Sequence, residues 1–265
     1  MELKLFPTGN RDVPCFLLLL NSMNLNFYCA AFQEILRQFL FTKSDYDFVF
    51  TFTGITRQAF KEFRRDLYGD EIFFTYIEKK YYTVRKKRIS LKRYEIWNFL
   101  LYYLIRSLNP ETVIETGVFD GITTSFLLKA LKENNKGHLY SIDLPAYEKI
   151  DGSTHKMKFT TLPGGEDVGW IIPPGLRDRW TLYKGPSNLH LKPLLNKLKV
   201  IDLFLHDSLH TYENMMYEYE TVWPYLRQGG ILSSDDILWN PSFHDFSKKV
   251  KRSYSGKYRF GVLKK

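Results

Sequence analysis

Apolar residues recur along most of this chain with two alternating periods, and those periods predict alternating elements. Ser90 reads as a helix N-cap, after which Tyr94, Trp97, Leu101, Leu104 and Leu108 fall on one helical face until Asn109-Pro110 stops the pattern. Short apolar runs predict strands at 112–116, 138–143, 180–183, 200–206 and 230–234, with helical spacing at 123–132, 189–198 and 211–226. Strands separated by helices imply a mostly parallel, doubly wound α/β sheet covered on both faces. Ligands of such sheets sit at the carboxyl ends of the strands. The closing segments, 250–254 and 257–263 around Ser255-Gly256, read as a hairpin, and helix is an equal reading for the first of them.

Residues 1–88 are rich in Phe and Tyr and carry no chemical signal. Helical spacing over 30–40 and 56–67, with a strand pattern over 46–52, predicts an N-terminal α+β extension to a domain at 89–265. The domain is interrupted at 144–179, where Pro163-Gly164-Gly165 and Pro173-Pro174-Gly175 break the backbone repeatedly. A lid-like insertion is the expectation there, with Trp170, Ile171 and Ile172 as its apolar contact surface.

With 265 residues, 44% of them hydrophobic and 25% charged, the chain can bury a substantial core. Its longest apolar run, 15–20, is far shorter than the roughly 20 residues of a membrane span, and no secretory leader is expected. Cys15 and Cys29 are the only cysteines and give no disulfide framework, so a reducing, cytoplasmic setting is expected. The net charge of +9 gathers in one cluster from Lys79 to Arg93 and another from Lys248 to Lys265. Phosphates or an anionic membrane could use such clusters, but no nucleic-acid motif accompanies them, and a solvated face is the favoured reading.

Candidate chemistry lies at the predicted strand ends. Glu115-x-Gly117-x-x-x-Gly121 follows the first strand, and Glu115 stands where a pyrophosphate cradle, G-x-G-x-x-G, would need its first glycine, which disfavours a dinucleotide. Asp143 closes the second strand, where an acid can accept hydrogen bonds from both ribose hydroxyls of an adenosine cofactor; a turn or cap role is the alternative. Gly185-Pro186-Ser187 after the third strand would lie near the adenine, or serve only as turn and N-cap. After the fourth and fifth strands come Asp207, Asp235 and Asp236, three carboxylates whose mutual repulsion a hard cation such as Mg²⁺ would relieve. Asp235 and Asp236 can share an ion only if the strand has already bent, since neighbours in a strand face opposite ways. His210, expected in the first turn of a helix, could take the proton of a substrate hydroxyl, while His206 reads as a satisfied, half-buried histidine. Trp239, Asn240, Phe243 and His244 would border an acceptor pocket or pack in the core.

Taken in order, Glu115-x-Gly117-x-x-x-Gly121, Asp207-Ser208-x-His210-x-Tyr212-Glu213 and Gly229-Gly230-Ile231-x-x-x-Asp235-Asp236 resemble the class I S-adenosylmethionine-dependent methyltransferases. Within them they resemble the macrocin-type, metal-dependent sugar O-methyltransferases and the cephalosporin-hydroxylase-like proteins, over residues 90 to 265. The resemblance implies a Rossmann-like class I methyltransferase fold and S-adenosylmethionine held around Glu115, Gly117, Gly121, Asp143, Ser187 and Asp207. It also implies Mg²⁺ on Asp207, Asp235 and Asp236, with His210 as catalytic base. The expected reaction is methylation of a hydroxyl on a small molecule or sugar, and the chain could assemble as a homo-oligomer. The insertion at 144–179 and the basic N-terminal region depart from the pattern. A non-catalytic or nucleic-acid-associated protein on the same sheet, and a metal-free methyltransferase, are the alternatives.

Overall fold

The structure is a computed structural model, which describes residues 44–94, 96–145 and 161–265. Five parallel strands, β1 (Thr112–Thr116), β2 (His138–Asp143), β3 (Trp180–Lys184), β4 (Ile201–His206) and β5 (Leu226–Ser234), join a hairpin of β6 (Tyr254–Lys257) and β7 (Phe260–Lys264). The order across the sheet is β3-β2-β1-β4-β5-β7-β6, with only the β5–β7 and β6–β7 pairs antiparallel. This is the Rossmann-like methyltransferase arrangement expected from the sequence. The order in which the chain adds strands reverses between the parallel neighbours β1 and β4, which opens a crevice at their carboxyl ends.

Strand alternation divides the core in two. Val113, Leu203, Leu205 and Ile231 face a layer that includes α5 (Ile96–Leu108) and α6 (Ile122–Glu133), and Ile114, Phe204 and Leu232 face α7 (Ser187–Leu198), α8 (Tyr212–Val222) and α9 (Ser242–Lys249). The described N-terminal part is wholly helical: α1 (Asp45–Thr53), α2 (Arg57–Gly69), α3 (Glu71–Arg85) and the short α4 (Leu91–Tyr94). Its buried side chains share the first core layer, where Phe73, Phe74, Phe99 and Phe126 meet ring against ring. The helix expected over 30–40 lies outside the described residues.

Three expectations are corrected. Residues 46–52 form helix, not strand, because the Ser44 hydroxyl accepts from Asp47 N at the start and Gly54 takes a left-handed cap at the end, while Phe48, Val49 and Phe52 share one buried side. The extension is therefore helical rather than α+β among the described residues. The closing hairpin turns at Tyr258-Arg259 instead of Ser255-Gly256.

Of the insertion, residues 144–145 and 161–179 are described, and the second stretch ends in a 3-10 turn, Pro174–Arg179. Trp170, Ile171 and Ile172 are buried, with Trp170 stacked on Tyr81 of α3. Backbone bonds from Gly169 and Ile171 to the carbonyls of Phe119 and Asp120 fasten this segment to the glycine turn. Among the described residues no helix is long and apolar enough to cross a membrane.

Candidate active site

Register decides which acids can meet. Thr116 pairs with Ile142 and with His206, and His206 pairs with Ser234, so these four form one row across β2, β1, β4 and β5. The next residues along those strands are Asp143, Gly117, Asp207 and Asp235. Backbone bonds from Gly117 to Ile142, from Asp207 to Thr116 and from Asp235 to His206, of 2.8–2.9 Å, carry the ladder one step further before the chains diverge. Three carboxylates thus begin at one rim.

The glycine turn is built by close contact. Gly117 has φ +87°, and a β-carbon there would lie 1.9 Å from the Asp207 carbonyl oxygen, so only glycine lets β1 leave the sheet beside β4. Gly121, at φ +92°, caps α6 and packs on Gly169 and Ile172. Asp143 holds the turn from the neighbouring strand: its Oδ2 accepts from the amides of Val118 at 2.6 Å and Phe119 at 2.9 Å. Ser187 opens α7, with its hydroxyl 3.5 Å from Asn214 Oδ1.

Glu115 does not open onto this crevice. It lies before the row, fully buried, accepting from Thr124 Oγ1 at 2.9 Å and Ser141 Oγ at 2.7 Å. Burial pushes its carboxyl up to about 8 despite those bonds. Asp120, inside the turn, is also buried but charge-paired: Arg85 of α3 grips both its oxygens at 2.6–2.7 Å, and Trp170 Nε1 donates to Oδ1 at 2.7 Å. Neither Arg85 nor Asp120 stands out in the sequence, where Arg85 reads as part of a surface cluster.

At the rim, Asp207, His210 and Asp235 each present a ligand atom within 4.8 Å of the others, and all three are half-buried. Asp236 is not with them. The chain has left the strand at that point (φ +50°), and Asp236 Oδ1 lies 3.1 Å from Arg259 Nε. His210 sits in the loop ahead of α8, not in its first turn, since Thr211 is the N-cap. Its Nε2 is buried with no hydrogen-bond partner, and burial, helped by the neighbouring His206, lowers its pKa to about 3. The ring packs edge-on against His206 at 5.1 Å and lies 6.2 Å from Trp239.

Glu218, which the sequence reading missed, holds this loop. Fully buried on α8, it accepts from Thr116 Oγ1 at 2.6 Å and Ser208 Oγ at 2.8 Å, and lies 2.6 Å from His206 Nδ1. Burial alone would raise its pKa, but the His206 ring and these hydrogen bonds outweigh it and hold the carboxyl below its ordinary value. The available signal was an acid in the buried stripe Met215, Glu218, Tyr219, Val222.

Beside the trio, Leu209, Tyr212 and Trp239 are exposed, whereas Phe243 is a core residue packed on Tyr219. Several clustered cations are engaged internally. Lys80 reaches the Trp170 carbonyl, Lys92 the Tyr68 carbonyl, Lys264 that of Phe52 and Lys265 those of Trp223 and Leu226.

Residues 114–237 match the family model described as a methyltransferase domain. No curated protein matches the chain in sequence. Similar solved structures include the calicheamicin methyltransferase CalS11, at 18% identity over 82% of this chain and 96% of that one, TM-score 0.49. The O-methyltransferase TomG from Streptomyces achromogenes, involved in tomaymycin synthesis and in complex with SAM, aligns at 14% identity over 71% and 88%, TM-score 0.48. The SAH-bound methyltransferase PaMTH1 of Podospora anserina aligns at 10% over 79% and 96%, TM-score 0.46.

Proposed function

Because this chain is an S-adenosylmethionine-dependent methyltransferase, its methyltransferase domain matched over residues 114–237, we propose that it methylates a hydroxyl of a small molecule, with a divalent cation held by Asp207, Asp235 and His210. The convergence of those three side chains, within 4.8 Å at one rim of the sheet, carries the reading. Two carboxylate oxygens and an imidazole nitrogen at this spacing form a donor set that a divalent cation takes. His210 fits the same ion: its lowered pKa keeps the ring neutral at physiological pH, and its Nε2 is buried and unpartnered. The buried, unpartnered Nε2 and the position beside the two carboxylates suit ligation, so we assign His210 to the ion in place of the base role expected from sequence. One nitrogen and two oxygens also widen the choice of metal from Mg²⁺ to Mn²⁺ or Fe²⁺. When bound, the ion would lower the pKa of the acceptor hydroxyl and fix its oxygen.

The chain's own residues would do the rest. Asp143 commits one oxygen to the turn amides and offers the other to ribose hydroxyls. Ser187 follows β3, on the side where the adenine would lie. Leu209, Tyr212 and Trp239 would wall the acceptor and exclude water. The acceptor hydroxyl gives its proton to solvent, the methyl carbon leaves sulfur as it bonds to the acceptor oxygen in line, and S-adenosylhomocysteine departs.

Calorimetry and electron paramagnetic resonance test both halves. The wild type should bind S-adenosylhomocysteine, and Asp143→Ala should weaken that binding roughly tenfold or more, the loss of hydrogen bonds to a charged group. Mn²⁺ should bind with a resonance signature that His210→Ala alters while S-adenosylhomocysteine binding persists. Mn²⁺ binding unchanged in His210→Ala would return that histidine to the base role, and full turnover after chelation would remove the metal.

A further inference from the structure

Away from the crevice residues, a cavity of about 530 Å³ opens between the start of α1, the first two turns of α2 and the β6–β7 turn. Its walls carry Arg57, Lys61 and Arg64 of α2 together with Lys257, against Tyr46 and Tyr258. Asp45 is the single acid in the lining, and it is paired with Lys257 at 2.7 Å. Among the described residues no carboxylate pairs with Arg57, Lys61 or Arg64. Arg57 is held in place by stacking over the Tyr46 ring at 4.3 Å.

Three features here cost stability and face one space. Arg57, Lys61 and Arg64 stand at i, i+4 and i+7, where like charges on a helix repel. Arg57 begins α2 and no acid lies in its first turn, so cation and helix dipole oppose each other. Tyr258 and Arg259 form a two-residue turn with φ of 55° and 64°, a geometry that favours Asn-Gly. Fixed positive charge around a cavity of ligand size is offset by a bound oxyanion, and Arg and Lys together suit phosphate oxygens.

The same turn borders both this cavity and the reaction rim. β7 runs antiparallel to β5 with Gly261 opposite Ser234, which puts the turn at the end of the sheet where Asp235 stands. Tyr258 lines the cavity, and Arg259 pairs with Asp236 next to Asp235. We infer that the cavity holds a phosphate-class oxyanion carried by the methyl acceptor, so that the substrates are anionic hydroxy compounds. This rests on the methyl-transfer reading above.

Calorimetry on the full chain with inorganic pyrophosphate, alone and with S-adenosylhomocysteine, separates the two claims. Saturable, salt-sensitive pyrophosphate binding is expected, weakened on the order of tenfold in Lys61→Gln/Arg64→Gln, with S-adenosylhomocysteine affinity and melting temperature unchanged. No saturable binding, or equal binding to the variant, overturns the inference, whereas failure to bind S-adenosylhomocysteine would overturn the methyl-transfer reading instead. Hydroxy compounds tested in pairs with and without a phosphate ester then identify the source of the anion. Transfer confined to phosphorylated members, with pyrophosphate as their competitor, supports the acceptor; transfer confined to neutral members assigns the cavity to free phosphate and overturns the acceptor claim.

Discussion

Glu115 and Asp207 are acids on adjacent strands of the same sheet, two steps apart in register, and their environments are opposite. Glu115 lies before the last shared row, enclosed by hydroxyls and pushed toward its neutral form. Asp207 lies one residue after that row, half-buried, with Asp235 and His210 within reach. The row Ile142, Thr116, His206, Ser234 therefore works as a boundary between these acids: Glu115 just before it belongs to the core, and Asp207 and Asp235 just after it to the crevice. Glu218 shows that the rule concerns surroundings more than strands, since it comes from a helix yet lies inside the boundary and acts on the loop from behind.

Asp207→Asn should break the comparison most severely. Turnover should fall roughly a thousandfold, the several kcal/mol that a well-placed cation contributes, while the melting temperature stays close to wild type. A parallel loss of fold would mean that Asp207 belongs to the core after all. Glu218→Ala should do the reverse, destabilising the protein by about 3–5 kcal/mol as a buried pair loses one partner, as read by denaturant midpoint. The smallest effect concerns pH. With its pKa raised from 4.5 to about 8, Glu115 contributes stability that is fully present below its ordinary value and is lost as pH rises toward 8. Wild-type melting temperature should decline over that window, and Glu115→Gln, which keeps the shape and stays neutral, should flatten the curve. An unchanged slope in the variant would sink the assignment.

Much of this was readable in the chain. β1 and β2 match their predicted limits because a short apolar run between a helix stop and a glycine turn has few alternatives. The pairing of Asp207 with Asp235 follows from strand order and register alone. What stayed hidden depended on contacts. Residues 46–52 look strand-like in composition, and the Ser44 and Gly54 caps decide otherwise. Asp235 and Asp236 are equivalent in sequence until the backbone turns, after which one joins the trio and the other meets Arg259. Glu218 and Asp120 are isolated acids in the sequence, and only tertiary packing supplies His206 and Arg85 as their partners.

Gly117 and the Asp207 peptide lie closer than a single methyl group would allow. Two backbones in such contact cannot be displaced one at a time. Anyone who reshapes the glycine turn will also move the carboxylate rim beside it, so the two will have to be redesigned together.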